Sequence, residues 1–219
     1  MIFGARHSLG TGRVRSRFLL IILCLSALSL FSCSGRGEVK HPGPPYGKVV
    51  KKWTRSAGIY RGMDSQLFVH ATYRGLEIRD AYVREYAERY QLDEYQRAKL
   101  LTDEQEGYER SEELFLGVHT QEDKWNDLHR SDSIWRLYLK NDRGERVRPL
   151  EVRRVDAESP LIKAFYPRLD KWSKGYVVTF PKYSETGTEP IVSDETRKIH
   201  LVITGVLGET EITWKLKKR

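Results

Sequence analysis

The strongest constraint on the fold of this 219-residue chain is an alternation of apolar and polar side chains at period two, repeated in run after run beyond Trp53. Leu67, Val69, Ala71 and Tyr73 alternate with Phe68, His70 and Thr72, and Leu114, Leu116 and Val118 alternate with Phe115, Gly117 and His119. Successive side chains of a strand point to opposite faces, so each run reads as a strand with one face turned to a core. Trp135, Leu137 and Leu139 oppose Arg136, Tyr138 and Lys140, and the run ends in the turn signal Asn141-Asp142-Arg143-Gly144. A further strand is expected near Arg146 to Val155, and another over Tyr176, Val178 and Phe180. Ile199, Leu201 and Ile203, the turn Val206-Leu207-Gly208-Glu209, and Ile212, Trp214 and Leu216 read as a closing hairpin. Six or seven such strands predict a mainly β fold: an antiparallel, immunoglobulin-like β-sandwich, argued from pattern alone because no cysteine pair pins its sheets.

Between Tyr73 and Glu113 the period changes. Leu76, Val83, Tyr86 and Tyr90 recur at helical spacing, with Arg79, Arg84, Glu85, Glu88 and Arg89 mainly off that stripe. Asp93 with Gln96, and Thr102 with Gln105, have capping-box spacing, which predicts one or two more helices before Glu112. The expectation is an α-helical insertion over about residues 76–112, between two strands of the sandwich.

The N-terminus follows a different logic. Residues 1–17 carry Arg6, Arg13, Arg15 and Arg17 with no acid, and the apolar run Phe18 to Phe31 follows. This is a basic n-region and an h-region, and 14 apolar residues fall short of the roughly 20 that span a bilayer as a helix. Leu30-Phe31-Ser32-Cys33 resembles the lipobox of bacterial lipoprotein precursors, with Leu three residues before the Cys and a small residue directly before it. Phe31 departs from that pattern, where smaller or β-branched residues are commoner. The resemblance implies removal of residues 1–32 as a signal peptide and acylation of Cys33, by palmitate and related chains. Two or more acyl chains hold a protein stably to a bilayer where one does not. By the same resemblance, Ser34 in place of an Asp favours the outer membrane. The mature domain itself is matched to no characterised family by its sequence. Residues 33–52, rich in Gly, Pro and Lys, read as the lipidated Cys and a flexible tether, and residues 53–219 as the domain.

Processing also reinterprets the charge. The formal net charge of +8 loses four Arg and no acid with the signal, leaving +4. The arginines of the helical insertion are interspersed with Glu77, Asp80, Glu85, Glu88 and Glu94, a mixed-charge face and no electrostatic stripe, so nucleic acid is not expected as a partner. Cys24 leaves with the signal, and Cys33 is the anchor, so neither thiol belongs to the folded domain.

No G-x-S-x-G, P-loop, H-E-x-x-H, C-x-x-C or dinucleotide fingerprint occurs. His70, His119 and His200 fall on strands, opposite the larger aliphatic side chains, but their separations of 49 and 81 residues carry no metal signature. The segment from His119 to His129, with Glu122, Asp123 and Asp127, lacks calcium-loop spacing and reads as a polar loop. No catalytic residue, metal site or cofactor is assigned. Tyr82, Tyr86, Tyr90, Tyr95 and Tyr108 concentrate in the helices, where they either form a partner surface for an envelope protein or glycan, or pack on the sandwich with their hydroxyls at the rim. The expectation is a non-enzymatic envelope lipoprotein, held to the bilayer through acylated Cys33 and acting as a binding or assembly module. The rivals are an envelope hydrolase acting on glycan or cell wall, and a structural subunit of a secretion or surface complex.

Overall fold

The computed structural model describes residues 43–185 and 187–216. The signal segment, the lipobox and Cys33 lie outside them. In chain order the elements are α1 (Tyr46–Trp53), β1 (Thr54–Arg61), β2 (Asp64–Tyr73), α2 (Leu76–Arg89), α3 (Glu94–Arg110), β3 (Ser111–Thr120), β4 (Trp135–Asn141), β5 (Arg146–Val147), β6 (Glu151–Val155), α4 (Pro160–Phe165), β7 (Lys174–Pro181), β8 (Lys198–Gly205) and β9 (Gly208–Lys215). The strands form two antiparallel sheets, one ordered β1-β2-β3-β7-β6 and the other β5-β4-β8-β9.

The period-two residues of both sheets meet in one core. Leu67, Val69 and Ala71 of β2, Leu114, Leu116 and Val118 of β3, and Tyr176, Val178 and Phe180 of β7 share it with Leu137, Leu139, Leu201, Ile203 and Trp214 of the other sheet. Burying each large side chain of this kind contributes roughly 1.5–3 kcal/mol over leaving it in water. Polar side chains inside are partnered in part: the Tyr176 hydroxyl donates to the Asn126 carbonyl at 2.7 Å and Asn126 Nδ2 donates to the Val118 carbonyl at 2.6 Å, whereas the buried Ser65 and Ser173 hydroxyls have no hydrogen-bond partner among the described residues.

The first sheet is covered on its outer face as well. Phe115, on the side of β3 opposite Leu114 and Leu116, stacks on Tyr166 with ring centroids 3.6 Å apart. A second core gathers Tyr46, Val49 and Val50 of α1, Ile78 and Ala81 of α2, and Phe165 at the end of α4. Residues 46–52, expected above to end the flexible tether, are therefore part of the folded domain. Tyr46, Val49 and Val50 stand at i, i+3 and i+4 on one helical face, and the Tyr46 hydroxyl donates to the Phe165 carbonyl at 3.1 Å.

The helical insertion lies between β2 and β3, as α2 and α3. α2 buries Ile78, Arg79, Ala81, Val83 and Ala87, so its inward face is rotated from the expected stripe: Val83 is inside, Leu76 and Tyr86 are half-buried and Tyr90 is exposed. α3 begins in a capping box, with Gln96 N–H donating to the Asp93 carboxylate at 2.8 Å and Asp93 N–H to the Gln96 side chain at 3.1 Å. The second expected cap is absent, because Thr102 lies inside α3 and its hydroxyl donates to the Ala98 carbonyl. The single strand expected over residues 146–155 is two. β5 pairs with β4 in one sheet and β6 with β7 in the other, and the chain changes sheets at Arg148-Pro149-Leu150. Proline cannot donate to a ladder and suits such a crossing. Gly208 opens β9 at φ +135°, where an added Cβ would lie 2.7 Å from Ile59 Cγ2 of β1.

Candidate functional site at the end of the two sheets

The alternation that builds the core also buries a charge. Extended back from Leu114, the inward set of β3 reaches Glu112, which is 1% exposed. A lone carboxylate there would be strongly disfavoured, so it needs a counter-charge and donors. Lys182, directly after β7, donates to Glu112 Oε1 at 2.7 Å, and the Tyr73 hydroxyl at the end of β2 donates to Glu112 Oε2 at 2.6 Å. The register that pairs Glu112 with Phe180 and Leu114 with Tyr73 brings these three chain segments together. Lys182 Nζ also donates to the Tyr108 carbonyl at 3.0 Å and sits 3.8 Å from the centre of the Tyr108 ring. Burial, followed by the Glu112 charge, pushes the Tyr73 hydroxyl well above its ordinary pKa, so it remains a donor at any physiological pH.

Tyr73, Tyr108 and Lys182 form one wall of a cleft of about 520 Å³ at this end of the domain. The rim near α1 and α2 carries Lys52 paired with Glu77, and Trp53 Nε1 donates to the same Glu77 carboxylate at 3.0 Å. Trp53 is fixed in turn from the second sheet, because Trp214 Nε1 donates to its carbonyl at 2.7 Å. The Trp53 and Tyr73 rings, both in the cleft lining, lie 5.8 Å apart, and Trp214 backs Tyr73 at 6.3 Å. Across the opening, Ser193 and Thr196 lock a turn, with Ser193 N–H donating to Thr196 Oγ1 at 3.0 Å, and Lys215 follows at the end of β9. The lining also holds Glu77, Glu109 and Asp194, so the cleft presents ammonium groups, carboxylates, hydroxyls and aromatic side chains together.

A second buried ionic cluster holds α3. Arg74 Nη2 donates to both Glu104 oxygens at 3.0 Å and its Nη1 pairs with Glu113, while Arg79 pairs with Glu104 from α2. Burial works against the Arg74 charge, but Tyr166, Glu113 and Glu104 outweigh it and hold the guanidinium protonated. Arg79, expected on the solvent side of α2, is 4% exposed because this pairing draws it inward.

The tyrosines singled out in the sequence divide. Tyr82 and Tyr86 pack on Phe165 with centroids 4.8 and 6.0 Å away, Tyr108 is buried against Lys182, and Tyr90 and Tyr95 are 53% and 79% exposed. The histidines do not converge. His70 bonds Ser56 on the first sheet, His119 Nδ1 lies 3.4 Å from the Trp172 carbonyl, and His200 is on the other sheet beside Thr213 and Glu211. In the polar loop, Asp123 pairs with Lys174 at 2.7 Å while Asp127 accepts from Ser133 at 2.8 Å. Among the described residues no three His, Cys, Asp or Glu side chains are placed to hold a metal ion, and no helix is long and apolar enough to cross a membrane.

The cleft was legible in part. Continuing the β3 alternation one step backwards marks Glu112 as an inward acid, but nothing local in the sequence designates Lys182 as its partner. Comparison with known proteins finds no matching family model, no matching curated protein and no matching solved structure.

Proposed function

We propose that this chain is an envelope lipoprotein, anchored through acylated Cys33 at the outer membrane, whose domain is a non-enzymatic binding or assembly module with the end cleft as its ligand site. The observation that carries the reading is the cleft itself: an open space of about 520 Å³ whose wall carries Lys182, fixed by a buried carboxylate. Pre-fixed polar groups beside aromatic faces are the usual make-up of a binding pocket. Tyr90 and Tyr95 offer a second, smaller contact surface for an envelope partner.

The immunoglobulin-like reading of the fold belongs with this proposal and is supported by strand order. With β1 set aside, β2-β3-β7-β6 and β5-β4-β8-β9 have the neighbours of an A-B-E-D sheet and a C′-C-F-G sheet. Trp135, 2% exposed at the start of β4, takes the place of the buried strand-C tryptophan of that architecture.

Two measurements test the proposal. Cys33→Ala should move the protein out of the membrane fraction, and retention there unchanged would refute the anchor. Purification of the detergent-solubilised chain should yield a co-purifying species that Ser193→Trp, which fills the cleft, removes. Equal recovery with both forms would place binding elsewhere.

A further inference from the structure

The helices cover the outer face of the first sheet, and no described element packs on the outer face of the second. That open face is basic. Arg136, Lys140, Arg146, Lys198 and Lys215 stand at its outward strand positions, and Arg148 joins them by folding back over Tyr138. Two carboxylates, Glu209 and Glu211, share those strands, and Glu211 is engaged by Lys140 at 2.9 Å and by His200 at 2.7 Å.

The remaining cations are left uncompensated. Lys198 and Lys215 are directly opposed across β8 and β9, an arrangement that costs stability in a sheet. Arg146 and Arg148 lie 5.0 and 5.9 Å from the centre of the same Tyr138 ring, so one aromatic side chain holds both guanidiniums. Among the described residues none of Arg136, Arg146, Arg148, Lys198 or Lys215 has a carboxylate within ion-pair distance.

We propose that this face binds an anionic polysaccharide, through carboxylate or other acidic groups on its sugars. A guanidinium matches such oxyanions in geometry as well as charge. The face is poor in apolar anchors, with only Tyr138 and Val202 half-buried at its middle, whereas protein interfaces centre on a dry apolar cluster. A flat row of cations suits a chain polyanion, whose binding is driven by release of counterions.

The test uses the full-length chain in a nonionic detergent, with fluorescent polygalacturonate and dextran sulfate as probes and neutral dextran as the control. Both polyanions should bind, with affinity falling steeply as salt is raised, and neutral dextran should not. The double variant Arg146→Gln/Arg148→Gln should weaken binding by about tenfold and lower the salt slope by about 2, and Lys198→Gln, outside the cleft, should weaken it by about threefold and lower the slope by about 1. The control Arg97→Gln/Lys99→Gln, on the exposed face of α3, should stay within about twofold of the parent. Failure to bind either polyanion at low salt would overturn the proposal. So would equal loss in the control, which would mean net charge alone, or binding confined to phosphatidylglycerol micelles, which would mean a lipid surface. Because Cys33 is unchanged and detergent replaces the membrane, these outcomes are separate from failure of the anchor.

Discussion

Replacing Lys182 by Met removes the ammonium group but keeps most of the side-chain volume, and it leaves Glu112 as a carboxylate that is 1% exposed with Tyr73 as its one remaining donor among the three groups described. Removing one partner of a buried ion pair typically costs about 3–5 kcal/mol, because the other charge stays desolvated. The contacts here, at 2.7 Å to Glu112 and 3.0 Å to the Tyr108 carbonyl, put Lys182→Met inside that range. With a urea m-value of about 2 kcal/mol/M, the midpoint of unfolding should fall by about 1.5–2.5 M. The double variant Glu112→Leu/Lys182→Met removes both charges and should recover most of the loss, since an apolar replacement of a buried pair is often close to neutral. The assay is urea unfolding of the parent, both single variants and the double variant, analysed as a double-mutant cycle. A Lys182→Met cost below about 1 kcal/mol, or a double variant whose loss equals the sum of the singles, would refute the claim that a buried charge pair supports the cleft wall.

Three further outcomes are expected. Glu104→Ala should leave Arg74 and Arg79 short of their shared carboxylate and raise amide exchange selectively over residues 94–110, because Tyr108 is the one buried residue of that helix; uniform protection would contradict this. Burial, and then the nearby Arg168, lowers the His70 pKa below its ordinary value. The unfolded chain then takes up the proton first, so this histidine costs stability as pH falls through about 6.5, and His70→Gln should flatten the decline in unfolding free energy between pH 7.5 and 5. Gly205→Ala, where a Cβ would meet the Ile134 carbonyl oxygen, should lower the thermal midpoint by several degrees, and an unchanged midpoint would show that the β8–β9 turn shifts freely.

How far the fold could be read beforehand depended on whether a segment's burial matched its periodicity. The inward residues of β2, β4, β7, β8 and β9 stand out because each of those strands alternates against one core. β1 does not announce itself: it is an edge strand whose inward side holds Ile59 and a half-buried Ala57, too little for a period. The first sheet is covered on both faces, which blurs the alternation of β3 through Phe115 and hides α1 among the glycines, prolines and lysines that precede it. The local signals around residues 146–155 are those of one strand, and only the competition between β4 and β7 for partners divides it. In the cleft, Glu112 was recoverable from the alternation, whereas Lys182, the Arg74–Glu104 cluster and the open basic face depend on strand order, which pairs residues as far apart as 70 positions.

The edges of the two sheets restrict how this domain can assemble. One edge strand of the first sheet, β6, exposes Glu151, Arg153 and Arg154, and its partner side is already taken by β7. At the other side of the molecule β1 packs against β9, with Ile59 against Gly208, so neither strand is free to peel away without opening the core. A donated strand from another chain would have to desolvate the charges of β6 to gain a ladder of hydrogen bonds. Growth into a fibre by strand exchange is therefore disfavoured for this protein, and any higher-order structure it enters should be built through faces and helices, with each copy remaining a complete folding unit.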